Sequence, residues 1–257
     1  ICRTSGATPA AENFYTYLFS FARRNRLPEL RGRALVGLGV IRTLAGDSSA
    51  AYRWYAKARA ASAHHPVVVA VSYHGEMAAA LGEGNFSRAF VAGWRALEAG
   101  TLGSYDEAGL MVNMASIALR AERPQAALRA VFGALRKSNH PRVRLIAYSK
   151  GALAAARLGR RTLVGKFAAR LVATAASANF PLEELEARSE LAVAFAHIGD
   201  SAKARRLARS VRREAQQLDL GVVVRRCDTV LAGERVDEET VELSAPARRV
   251  VLELEAA

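Results

Sequence analysis

A chain of 257 residues with half its residues hydrophobic, 24% charged and few aromatics is long enough for one large core or two small ones. The formal net charge of +13 points to acidic partners or surfaces. No apolar run approaches the ~18 residues a membrane span needs, and two cysteines, Cys2 and Cys227, near opposite ends make neither a disulfide framework nor a CxxC site.

The first predicted element is an apolar, aromatic-rich helix over residues 10–25, carrying Phe14, Tyr15, Tyr17, Leu18 and Phe21. It reads as a partial repeat within residues 1–27. A regular interval follows. A helix-starting residue lies eighteen positions before a helix-breaking one at Pro28 and Gly46, Pro66 and Gly84, Ser104 and Glu122, Pro141 and Gly159, and Pro181 and Gly199. The units advance by 38, 38, 37 and 40 residues. Proline suits the first turn of a helix, where its missing N–H would be unpaired anyway. Glycine suits the residue past a helix end, where φ is positive. Asp47, Asn85 and Asp200 then supply N-caps for the second helix of their pairs. In the third unit Glu122 replaces glycine, and Pro124 is expected to start the second helix.

The period predicts a solenoid of stacked helix pairs, each unit burying its apolar face against its neighbours. The expected units are 28–65, 66–103, 104–140, 141–180 and 181–218. A capping helix over 221–232 and an acidic, valine-containing tail complete residues 219–257. Five residues past each turn comes a small residue, Ala51, Ala89, Ala127, Val164 or Ala204. Seven further lie Ala58, Ala96, Ala134, Leu171 and Val211. Such positions let the second helix of a pair lie close against the first.

The stretch Gly37-Leu38-Gly39, Gly46-Asp47, Ala51, Tyr55 and Ala58 resembles the tetratricopeptide repeat, in the long-helix variant common in bacterial signalling regulators. The resemblance covers roughly residues 28–218. It implies an all-α, right-handed superhelix of about five helix pairs, with the first helix of each pair lining a concave groove. The groove positions are then Val36 and Val40, His74 and Ala78, Val112 and Ser116, Ser149 and Leu153, and Ser189 and Val193, with Asn113 alongside. This row is mainly apolar and is expected to receive an apolar or amphipathic helix of a protein or peptide partner. The family's carboxylate clamp is not expected, because Val36 and Val40 stand where it needs polar residues.

Chemical motifs are absent from the sequence. No GxGxxG, P-loop or GxSxG occurs. His64, His65 and His140 fall in loops before prolines, without metal-ligand spacing. Glu183, Glu184 and Glu186 lie in a first helical turn, where negative charge complements the dipole. No enzymatic activity, metal or cofactor is expected, and the reading is of an interaction scaffold in a reducing cytoplasm.

Residues 120–170 hold thirteen Lys and Arg against one acid, Glu122. Arg142, Arg144, Lys150, Arg160, Arg161 and Lys166 are the expected basic patch. The few aromatics of this segment favour an acidic protein surface over nucleic acid. Finally, Leu243-Ser-Ala-Pro-Ala-Arg-Arg-Val-Val-Leu-Glu-Leu254 resembles the opening of a LuxR-type helix-turn-helix domain, although the usual glutamates are missing. That likeness implies the alternative function, an effector-sensing and oligomerising module of a bacterial transcription regulator. A start at Ile1 without a signal peptide leads to the expectation of a piece of a longer chain.

Overall fold

Proline at a helix start and a left-handed residue at its end set the pattern of the whole chain. In the computed structural model, which describes residues 8–177, 179–234 and 240–256, α2 (Pro28–Leu44), α4 (Pro66–Gly82), α6 (Ser104–Arg120), α8 (Pro141–Arg157) and α10 (Pro181–His197) begin at the residues the interval marks. Gly46, Gly84, Gly159 and Gly199 follow with φ between 69° and 79°. Glu122 adopts φ 54° in the glycine position of the third unit, and α7 (Pro124–Lys137) starts two residues later. Asp47, Asn85 and Asp200 each accept a hydrogen bond from a backbone N–H three residues on, at 2.9, 3.1 and 3.2 Å. These caps open α3 (Ser48–Ala61), α5 (Phe86–Glu98) and α11 (Ser201–Gln217).

The remaining helices are α1 (Thr8–Arg24), α9 (Arg161–Ala175), α12 (Gly221–Ala232) and α13 (Ala245–Ala256). Among the described residues there are thirteen helices and no strand. The fold is an all-α helical repeat in which consecutive helices pack neighbour to neighbour. The chain divides into two compact units. The first comprises the described residues of Ile1–Gly103 with Leu243–Val250, and the second those of Ser104–Glu242 with Val251–Ala257.

In the first unit α2 and α4 pack on each other, while α1, α3 and α5 lie against them as a second layer. Tyr55 of α3 is fully buried at the centre. Its ring lies so close to the backbones of Gly39 and Gly75 that a methyl group on either would sit 2.5 Å from it. Only glycine leaves room for the ring on both sides. The Tyr55 hydroxyl lies 3.0 Å from Thr43 Oγ1, so the polar end of the buried ring has a partner. Leu35, Val36, Ala51, Ala58, Val68 and Ala79 complete this cluster.

In the second unit α6, α8, α10 and α12 form one layer, and α7, α9 and α11 the other. Its core is built from aliphatic side chains such as Leu110, Met114, Ile117, Leu145 and Leu171, with many alanines between them. All ten small positions expected at the helix-pair crossings are buried, from Ala51 and Ala58 to Ala204 and Val211. They are joined by a middle member one turn in, giving the 4-3 spacing seen in Ala51-Tyr55-Ala58, Ala127-Val131-Ala134 and Ala204-Ala208-Val211. This spacing keeps one stripe of a helix facing its partner.

The C-terminal stretch is a packed helix. In the first unit Leu243, Ala247 and Val250 are buried and the Ser244 N–H donates to Ser87 Oγ at 2.9 Å. In the second, Val251 is buried and the Val241 N–H donates to the Arg120 carbonyl at 3.0 Å. Of the acids expected in this tail, Asp237, Glu238 and Glu239 lie outside the described residues.

Candidate functional site

The row expected along the first helices is half closed by the chain's own packing. In the first unit Val36 is part of the core cluster, Val40 packs at its edge half-buried, and His74 is half-buried on α4. In the second unit Asn113 is half-buried on α6, whereas Ser149 and Leu153 of α8 are buried. Val40, His74, Ala78, Asn113 and Ser116 are therefore the members of the row with surface to offer.

Each unit also buries charge that the periodicity did not single out. In the first, the Glu76 carboxylate is held by Arg59 at 2.8 Å and Arg88 at 2.9 Å. The Arg88 guanidinium lies 3.3 Å over the Tyr52 ring, and that of Arg59 lies 4.2 Å over Tyr73. Stacking on an aromatic face suits a planar, weakly hydrated cation. In the second, Glu107 pairs with Lys137 at 2.6 Å. Glu190 of α10 accepts from Lys150 Nζ at 2.5 Å and from Ser149 Oγ at 2.8 Å. Arg226 of α12 reaches the same cluster, donating to Ser189 Oγ at 2.7 Å. Burial by itself would raise the Glu190 carboxyl, but Lys150 and Arg226 hold it below the usual carboxylate range. A signal for this pair does exist in the sequence. Lys150 and Glu190 are each nine residues past their helix-starting proline, so register alone sets them on neighbouring helices.

A cleft of about 470 Å3 opens in the second unit where α10, α11 and α12 meet. Val193, Ala204 and Val230 give it an apolar floor, and His197, Ser201, Arg205 and Glu234 supply polar groups. His140, expected in a loop, is the N-cap of α8, its Nδ1 accepting from the Arg142 N–H at 3.3 Å. Its ring packs between Tyr105 and Phe180, with centroids at 4.8 and 5.6 Å.

The six residues of the expected basic patch have different fates. Arg142 pairs with Glu183 at 2.7 Å, Arg144 bonds Asn139 and the Tyr148 hydroxyl, and Lys150 is consumed by Glu190. Arg160, Arg161 and Lys166 remain exposed. The sequence window missed α11, whose outward face adds Arg206, Arg209 and Arg213.

Among the described residues no group of three His, Cys, Asp or Glu side chains is placed to hold a metal ion. Nor is any described helix long and apolar enough to cross a membrane. Cys227 is buried, and desolvation pushes its thiol up to about 11. No protein-family model matches the chain, and comparison with curated proteins finds no match.

Proposed function

We propose that the chain is a non-enzymatic interaction scaffold of the tetratricopeptide type, holding an apolar or amphipathic helix of a protein partner against its first-layer helices in the cytoplasm. The observation that supports this reading is the in-register burial of the small crossing positions, from Ala51 to Val211. That packing commits the side chains at the crossings to holding helix pairs together. It leaves half-buried residues such as Val40, His74 and Asn113 to meet a ligand. In this reading the array is a right-handed superhelix. A display library of amphipathic helical peptides is the test. Binders are expected to lose at least tenfold in affinity on Val40→Asp or His74→Asp. Binders indifferent to both changes would count against the groove.

One observation favours a second reading, a sensing module of a LuxR-type regulator. The residues that resemble the opening of a helix-turn-helix domain form the helix α13, its Ala247 fully buried. The sequence of the full-length gene separates the two readings. A helix-turn-helix encoded after Ala257, or an ATPase domain before Ile1, would establish the regulator.

A further inference from the structure

The second-layer helices of the second unit carry twelve Lys and Arg, of which Lys137, Lys203 and Arg212 are paired with Glu107, Asp200 and Asp228. Neither α7 nor α9 contains an acidic residue. The single acid of α11, Glu214, is taken by Arg188 at 2.9 Å and by Ser210. Within this unit three cations fall at one position of the repeat, two residues past the small crossing residue, a position that Arg53 also holds in the first unit. These are Arg129 after Ala127, Lys166 after Val164 and Arg206 after Ala204. All three are exposed, and no carboxylate among the described residues pairs with them. α7 and α9 both pack on α8, and α9 and α11 both pack on α10, so the shared repeat position sets the three charges on successive helices of one layer. Arg170 and Arg213, also exposed, add to the same face.

We propose that this face binds the phosphate backbone of double-stranded nucleic acid without reading its sequence. A row of like charges repeated once per helix pair complements a polymer that carries a charge at every step. Arginine, which supplies most of these cations, fits phosphate with its planar fork. An acidic protein presents carboxylates among other groups and gives no reason for the repeat. A single strand would call for aromatic platforms on which bases stack. The face offers a single ring, Phe132 of α7, which lies against Phe167 with centroids 5.9 Å apart, too few for successive bases to stack. The chain's own tail is anchored elsewhere in the unit, through the Val241 bond to Arg120. These cations lie on second-layer helices, whereas Asn113, the groove residue of this unit, lies on α6 of the first layer, so the proposal does not depend on the proposed groove.

The test uses the full chain and a fluorescein-labelled 20-base-pair DNA duplex of arbitrary sequence, titrated at several salt concentrations. The variant reverses the row, as Arg129→Glu, Lys166→Glu and Arg206→Glu together. A charge-matched control reverses Arg23, Arg24 and Lys57, which are exposed in the first unit and lie at other positions. Circular dichroism checks that both variants keep the helical spectrum of the parent. The parent is expected to bind with steep salt dependence. The row variant should lose at least tenfold in affinity at low salt, and its log–log salt slope should fall by about 2–3, near 0.9 per lost phosphate contact. The control should change affinity by less than threefold. Absence of duplex binding by the parent at 50 mM salt (roughly the low end of the range where such contacts dominate) overturns the proposal. So do equal losses in the two variants. Tighter binding of a polyglutamate peptide, or of the single strand, would reassign the face to an acidic protein or to unpaired nucleic acid.

Discussion

The two units solve the same packing problem with different materials. The first packs its helix pairs around tyrosine, with glycines cut away to admit the ring. The second relies mostly on alanine, leucine and methionine, whose flexible or small side chains tolerate an inexact fit, with one comparable notch where the buried Phe167 ring meets Gly151. Their surfaces differ in parallel. In the first unit several second-layer cations are absorbed, while Arg24 and Arg53 face solvent: Arg59 and Arg88 share Glu76, Lys57 lies 4.7 Å over Trp54, and Arg95 lies 5.7 Å over Tyr73. In the second, Lys137, Lys203 and Arg212 are paired with Glu107, Asp200 and Asp228, while Arg129, Lys166 and Arg206 face solvent.

The largest expected effect concerns the buried charge that the two units have in common. Glu190→Gln would leave Lys150 and Arg226 beside a neutral group at a site that is largely out of water. A loss of about 3 kcal/mol at neutral pH is expected in chemical denaturation, near the low end for breaking a buried pair because the cations are partly wet. The pH dependence gives the sign. The folded carboxyl is held below its ordinary value, so its contribution is present above about pH 4.3, the unfolded value. It is lost as pH falls through the folded value. The gap between parent and variant should therefore close below about pH 4, and a constant gap down to pH 2 would refute the role of ionisation.

A second experiment separates the two kinds of crossing. A methyl group at Gly39 would meet the Tyr55 ring at 2.5 Å, with Gly75 closing the other side. Gly39→Ala should cost about 1–3 kcal/mol, because a ring held on two faces has nowhere to go. At Gly133 of the second unit the nearest atom is Met111 Sδ at 2.8 Å, on a flexible side chain. Gly133→Ala should cost under ~1 kcal/mol. Equal costs would mean that the difference between tyrosine and aliphatic packing is only compositional.

The smallest effect is a gain. Glu122 occupies a left-handed conformation that glycine fills in four other units. Glu122→Gly should raise stability by about 0.5 kcal/mol, since relief of the strained backbone exceeds the loss of the 3.3 Å contact between the exposed Glu122 and Arg157, whose guanidinium keeps its bond to the Leu119 carbonyl. A lower melting midpoint for the variant would show that this pair matters more than its exposure suggests.

These comparisons also show which features are written locally in the chain. Pro28, Pro66, Pro141 and Pro181 and the glycines eighteen residues later fix helix ends by backbone geometry alone, so they are legible without tertiary contacts. The crossing positions are legible because a small residue recurs at fixed distance from those ends. The tail helix is not, because Leu243, Ala247 and Val250 owe their burial to distant parts of the chain. Nor is the division after Gly103, since the 38-residue advance runs through it unchanged. The burial of Ser149 and Leu153 depends on how closely neighbouring helices approach, which periodicity does not encode. The basic patch was only partly readable for a related reason: Arg142 finds Glu183 and Lys150 finds Glu190 in the next repeat, some forty residues away.

The Lys150–Glu190 contact bears on how such an array can grow. Repeat arrays lengthen by duplicating a unit and inserting the copy beside its parent. Opposite charges at the same position of consecutive repeats make one junction unlike the others. A copy of the fourth unit inserted there would bring lysine against lysine, and a copy of the fifth would bring glutamate against glutamate. The join between α8 and α10 is thus the least tolerant place for an insertion, and this pair gives the fourth and fifth units a fixed order.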